Sequence, residues 1–185
     1  MTVSDSLREQ FLAVVPNLRA FAMSLTGRPD RADDLVQETL VKAWANFSSF
    51  QEGTNLRAWM FTILRNQFYS DMRKSGREVQ DVDGVYSARL ATHPEQQGHL
   101  DLADFRTALA TLPADQREAL ILIGASGFSY EEAAAISGVA IGTVKSRVSR
   151  ARARLHELLD VESEADFGPD RTAEAVYASL SGAKG

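Results

Sequence analysis

The sequence predicts an all-α protein of two small helical domains joined by a flexible linker. Three observations carry that expectation. Apolar residues recur at spacings of three and four through residues 7–74 and again through 100–155, the period of a helix with one buried face. Between these stretches, from Gly76 to about Gly98, the period is lost; Glu78, Asp81, Asp83 and Glu95 make the segment acidic, and Gly84, Pro94 and Gly98 break it, which marks a domain boundary. Finally, Phe128 to Leu155 divides into two short helical patterns around a tight turn.

The elements can be justified in order. Leu7 to Leu25 reads as a helix through Leu7, Phe11, Val14, Val15, Leu18, Phe21, Ala22 and Leu25; Pro16 should kink or split it, and Thr26-Gly27-Arg28-Pro29 should stop it. Asp30 to Asn46 reads as a second helix. Asp30 is its expected N-cap, and Asp33 and Asp34 suit the positive end of the helix dipole. Its buried stripe is expected to be Ala32, Leu35, Val36, Leu40, Ala43, Trp44 and Phe47. Asp34, Gln37, Glu38, Val41 and Lys42 form the opposite face; a solvated helix surface accounts for the polar members, and Val41 alone hints at a contact.

Residues 48–55, SSFQEGTN, form a loop whose last residue, Asn55, can cap a third helix from Leu56 to about Lys74. Leu56, Trp59, Met60, Ile63, Leu64, Phe68 and Met72 are its apolar positions. Arg57, Arg65, Asn66, Tyr69, Arg73 and Lys74 lie on the other side. That mixture of cations, amide and phenol suits single-stranded nucleic acid, whose bases stack on rings and whose phosphates meet cations. An amphipathic helix with a wet face fits the same residues equally well.

Beyond the linker, Leu100 to Leu112 is helical through Leu102, Phe105, Ala108, Leu109 and Leu112, and Pro113 opens another helix carrying Leu120 to Ile123 up to the glycines at 124 and 127. Ser129 with Glu132 is a capping box, so a helix should start at Tyr130, with Ala133, Ala134 and Ile136 as its small apolar face. Gly138 should end it in the left-handed conformation. The next helix resumes near Gly142 or Thr143 and buries Val144, Val148, Ala151 and Leu155. Lys145, Arg147, Arg150, Arg152 and Arg154 occupy the rest of its surface with Thr143, Ser146 and Ser149, and no acid interrupts until Glu157. Such a unit is a helix-turn-helix: small residues let the helices cross closely, and the second presents its N-terminal side chains to base edges and its cations to phosphates. After Asp160 the chain is acidic and then rich in small residues, and its end is expected to be disordered.

Composition narrows the function classes. The 185 residues are 44% hydrophobic and 24% charged, with a formal net charge of −5. The acidic total conceals segregation, since basic residues cluster at 145–154 and around 57–77, and a polyanion responds to the local patch. There is no cysteine, which removes disulfides and thiolate metal sites, and His93, His99 and His156 lack ligand spacing. No stretch reads as a membrane span or signal peptide, and no P-loop, dinucleotide turn or nucleophile elbow is present. No cofactor, metal, small-molecule substrate or enzyme activity is therefore expected.

Together these pieces resemble the extracytoplasmic-function sigma factors of the sigma-70 family. DDLVQETLVKAW (33–44) is similar to the family's helix that binds core RNA polymerase, NLRAWMFTILRNQFYSDMRK (55–74) to its −10 promoter helix, and LPADQREALILIGASGFSYEEAA (112–134) with GTVKSRVSRARARL (142–155) to its −35 domain. The wording of 112–155 further resembles the EcfG-type subgroup, which serves the general stress response. The resemblance implies a sigma-2-like domain at 1–75, an acidic linker at 76–99, a sigma-4-like domain at 100–160 and a tail at 161–185. It implies polymerase contacts through Asp34, Gln37, Glu38, Val41 and Lys42, and −10 contacts through Phe50, Gln51, Asn55, Arg65, Asn66, Tyr69 and Arg73, with Phe50 and Gln51 near a flipped base. Thr143, Lys145, Ser146, Arg147 and Arg150 would read the −35 duplex. The linker would thread near the polymerase active centre. Implied partners are core RNA polymerase, promoter DNA and a small helical, NepR-like anti-sigma factor, in the cytoplasm. A sigma-like decoy that sequesters an anti-sigma factor without binding DNA is the competing expectation.

Overall fold

The computed structural model describes residues 5–51, 53–79 and 102–159, and the side chains of 8–51, 53–75 and 104–159. The expectations for the linker and the tail lie largely outside them. Among the described residues every regular element is helical. The first half forms α1 (Asp5–Thr26), α2 (Pro29–Ala45), a 3₁₀ turn (Phe47–Ser49) and α3 (Leu56–Val79). The second half forms α4 (Leu102–Thr111), α5 (Ala114–Leu120), a π-helical turn (Ile121–Ala125), α6 (Tyr130–Ser137) and α7 (Ile141–Leu159).

In the first bundle α1, α2 and α3 pack on one another around Leu18, Phe21, Ala22, Met60, Phe61 and Leu64, all fully buried. Arg19 on α1 and Asp33 on α2 pair at 2.6 Å, tying the two helices at their rim. In the second bundle α7 crosses α4, α5 and α6 and buries Val144, Val148, Ala151 and Leu155, the four residues its spacing selects. The capping box is complete: the Ser129 hydroxyl accepts the Glu132 N–H, and the Glu132 carboxylate accepts the Ser129 N–H. Gly138 takes φ 66°, a conformation that costs other residues about 1–2 kcal/mol, and thereby reverses the chain into α7.

The two bundles are in direct contact. α3 packs on α6, and α1 packs on α5. An aromatic column crosses the seam: Phe21 stacks on Phe61 at 4.9 Å between centroids, and Phe61 meets the edge of Phe128 at 4.9 Å. The apolar cores of the two halves are thus one continuous cluster.

Several local expectations are corrected. α1 is one helix through Pro16 and is not split there. The ring removes one hydrogen bond, but Pro16 and Leu12, whose carbonyl loses its partner, are both exposed, and the apolar stripe is buried on either side. α2 starts at Pro29, with Arg28 in the cap position, so Asp30 lies in the first turn and pairs with Arg28 instead of capping. α3 continues past Gly76 to Val79. The apolar run after α5 widens into the π turn, in which the Ser126 N–H bonds Ile121 O at 2.8 Å. Trp44 and Met72, expected inside, are 61% and 51% exposed, whereas Phe61, which was not among the expected core positions, is fully buried.

Candidate nucleic-acid and polymerase interfaces

The positively charged face of α7 lies on the outside of the second bundle. Lys145 and Arg150 are exposed, Lys145 within 5.7 Å of the Tyr130 ring centre. Thr143 and Ser146 are half-buried; Ser146 donates to Thr143 O and accepts from Arg150 Nη2 at 3.2 Å, which braces the Arg150 guanidinium along the helix. Arg147 behaves differently. Its Nε lies 3.1 Å from Asp115 Oδ2 on α5, and its side chain is only 20% exposed.

α3 shows two buried faces, not one. Met60 and Leu64 enter the first bundle. A second stripe, Arg57–Phe61–Arg65–Tyr69, at four-residue spacing, lies against the second bundle. Arg57 donates to Ser126 O, and its guanidinium sits 4.6 Å from the Phe128 ring centre and 5.6 Å from that of Phe61. The π turn and Gly127 (φ 66°) swing that carbonyl and ring towards α3. Arg65 Nε donates to Glu118 Oε1 at 2.5 Å, and Tyr69 donates to Glu118 Oε2 at 2.5 Å. Ser137 also donates to Glu118, at 3.0 Å. Glu118 is 1% exposed, so a buried carboxylate is satisfied by three donors from two domains. Burial, the hydrogen bond to Glu118 and the Glu118 charge together push the Tyr69 phenol well above its ordinary value near 10. At the mouth of α3, Asn55 accepts the Ala58 N–H as the expected cap while its amide donates to Glu132 at 2.7 Å.

Asn66 and Arg73 remain exposed, and Arg73 lines an open cleft of about 440 Å³ with Arg65, Tyr69 and Met72. Phe50 is half-buried in an aromatic chain, 5.9 Å from Phe47 and 5.3 Å from Trp59 between ring centres, while Gln51 is exposed and its carbonyl closes the turn onto Thr54.

On α2, Asp34, Gln37 and Val41 are exposed, Val41 at 68%. Trp44 stands three residues beyond Val41 and extends this apolar surface. Glu38 and Lys42 are engaged within the molecule: Lys42 donates to Gln67 Oε1, and Gln67 Nε2 donates to Glu38 at 2.6 Å and to Asp71 at 2.9 Å. Gln67 is buried and links α2 to α3.

The structure therefore gathers the expected site residues into three regions and adds Asp115, Glu118, Arg57, Gln67 and Trp44. Only the four-residue repeat from Arg57 to Tyr69 was a sequence signal for any of these; Glu118 looks like any polar residue at the edge of an apolar run.

Comparison with known proteins matches each helical half to a family model. Residues 11–78 match the family Sigma-70 region 2, and residues 102–155 match Sigma-70, region 4. The chain is 63% identical over 176 residues to the ECF RNA polymerase sigma factor EcfG of Rhodopseudomonas palustris (strain TIE-1), covering 95% of this chain and 97% of that protein. This chain belongs to the extracytoplasmic-function sigma factors of the sigma-70 family. Among solved structures, this sigma factor is similar to the sigma factor RpoE of Bartonella quintana, crystallised with the anti-sigma factor NepR: 64% identity, TM-score 0.77, 86% of this chain and 100% of that one. It also shares its fold with the anti-anti-sigma factor PhyR of the same organism, at 20% identity and TM-score 0.54, over 82% of this chain and 49% of that one.

Proposed function

We infer that this sigma factor recruits core RNA polymerase to promoters of stress-response genes in the cytoplasm, through three separate surfaces. Promoter-directed initiation follows from the family, and the protein performs no covalent chemistry itself. The observation that carries the assignment of surfaces is the order of region 2 and region 4 along one chain, with an uninterrupted basic helix at the end of the second. Thr143, Lys145, Ser146, Arg147 and Arg150 read the −35 duplex in the major groove. Phe50, Gln51, Asn55, Arg65, Asn66, Tyr69 and Arg73 hold the opened −10 strand, and their contacts offset the few kcal/mol of unstacking a base. Asp34, Gln37, Glu38, Val41 and Lys42 dock on the polymerase. Residues 1–75 and 100–160 form the two working domains, with 76–99 as tether and 161–185 as tail. A small helical anti-sigma factor of the NepR kind holds the protein in check; the complex of the Bartonella relative supports that partner.

The decoy alternative loses ground on two observations. Identity is 64% to the sigma factor of Bartonella quintana and 20% to its anti-anti-sigma factor. Lys145, Arg147 and Arg150, which a decoy has no need of, are all present. Run-off transcription with purified core polymerase and a promoter library tests the assignment. Transcripts that start at defined promoters only when this protein is added are expected. No transcript, with tight binding to a NepR-type protein, would overturn the assignment in favour of the decoy.

A further inference from the structure

We propose that Gln67 is a positioning residue for polymerase docking: its side-chain amide fixes Glu38 and Lys42, one charge of each sign, on the face that α2 offers. The proposal rests on the assignment of that face to the polymerase. Gln67 is 6% exposed, so it acts through the two charged groups and not by touching the partner. Its place follows from the helical period. On α3 the stripe that enters the first bundle, Met60 and Leu64, continues at spacings of three and four with Gln67 and Asp71. An amide thus stands where the stripe calls for an apolar side chain, in the packing of α3 on α2. Its oxygen and both amide hydrogens are used. Nε2 donates to Glu38 Oε2 at 2.6 Å and to Asp71 at 2.9 Å, and Oε1 accepts from Lys42 Nζ. A methionine would fill the same groove without needing any of these partners, so packing does not account for the amide.

Glu38 and Lys42 stand four residues apart on α2 with the acid on the N-terminal side, the order in which such a pair closes on itself most readily. Among the described residues no ion pair joins them, and each bonds Gln67 instead. The amide is neutral. It holds the carboxylate with a donor and the ammonium with an acceptor, and it leaves both charges uncancelled for a partner to meet. Asp71 takes the other amide hydrogen, which fixes the amide with its nitrogen towards Glu38 and its oxygen towards Lys42. Glu38 and Lys42 are exposed, and long exposed side chains lose rotamer freedom when a partner immobilises them. Gln67 imposes that restriction already in the free chain, so less freedom is lost on docking.

The experiment measures the affinity of the full chain for immobilised, purified core RNA polymerase in two backgrounds. In the parent, Gln67→Met should weaken binding about tenfold, with circular dichroism and thermal melting showing a folded chain. A chain carrying Glu38→Ala and Lys42→Ala should itself bind more weakly than the parent. Adding Gln67→Met to it should change the affinity by less than about twofold, because the amide then has nothing left to position. The same loss in both backgrounds would overturn the positioning role in favour of plain packing of α2 on α3. If Gln67→Met fails to fold, Gln67→Glu takes its place: it keeps the shape and the Lys42 contact but sets a carboxylate against Glu38. Its loss should shrink once Glu38→Ala is present, and an undiminished loss would overturn the proposal. The two layers fail differently. Parent-like binding by Glu38→Ala with Lys42→Ala would strike the docking face and the proposal with it. Weakened binding there, with none from Gln67→Met in the parent, would strike the proposal alone.

Discussion

α3 and α7 are both amphipathic and both rich in cations, yet they hold those cations differently. α7 buries one stripe, Val144–Val148–Ala151–Leu155, and leaves Lys145 and Arg150 in water. α3 buries two stripes, and the second is the one that carries Arg57, Arg65 and Tyr69. The difference teaches that a polar helix face is not thereby an available face. On α7, among the described residues, Lys145 and Arg150 are exposed and Arg147 alone of the expected reading set is paired with another helix. On α3 a neighbouring domain supplies a carboxylate, a carbonyl and an aromatic ring at the required positions.

The comparison can be broken at its strongest point first. Glu118→Ala should cost about 3–5 kcal/mol of stability, because it breaks a buried pair and leaves the half-buried Arg65 guanidinium without its counter-charge; thermal or urea unfolding measures it. Glu118→Leu should recover part of that loss, since a packed apolar side chain tolerates burial better than an orphaned cavity. A loss below 1 kcal/mol for the alanine variant would mean that the α3 seam is as weak as an exposed pair.

Next, Arg147→Ala with Arg150→Ala should abolish binding to −35 duplex DNA, at about 1–3 kcal/mol for each base no longer read, while core polymerase affinity holds. Because Arg147 is also paired with Asp115, the single Arg147→Ala variant should melt slightly lower than Arg150→Ala, since among the described residues Arg150 is held by Ser146 of its own helix. Equal DNA loss from either residue would erase the distinction between a held and a free cation.

A smaller effect concerns pH. The Tyr69 phenol is raised in the folded protein, so its contribution to stability is fully present below the unfolded value near 10 and is lost as pH climbs above it towards the folded value. Tyr69→Phe should remove that part of the alkaline fall, and the two unfolding profiles should converge above about pH 10. Parallel profiles across that range would show that the phenol is not bound to Glu118.

The smallest change is expected at the edge of α2. Asp34→Lys should slow association with core polymerase several-fold and steepen its salt dependence, with an unchanged circular dichroism spectrum. Asp34 is the cleaner probe of this surface than Glu38, whose carboxylate also takes the Gln67 amide that joins α2 to α3. Polymerase binding unaltered by Asp34→Lys would remove this face from the interface.

Much of this was legible from residues alone where the relevant chemistry is local. The capping box at Ser129, the left-handed Gly138 and the cap at Asn55 involve groups within one turn, and the buried stripe of α7 follows its helical period; each stands in the structure as its spacing requires. Pro16 does not split α1, because a proline on a solvent face costs less than the packing on both sides of it supplies. Trp44 misled because periodicity assigns a residue to a face without saying how far the neighbouring helix covers that face.

The sequence by itself therefore determined the main helices, the caps at Asn55, Ser129 and Gly138, the helix-turn-helix and the three motifs in family order, since these rest on contacts between near neighbours and on the helical period. The tertiary structure alone decided which polar faces are free. Arg65 and Glu118 stand 53 residues apart, and nothing in either neighbourhood marks the other as its partner. A buried carboxylate is stable only where distant chain segments converge to satisfy it, and that convergence belongs to the packing of the two bundles.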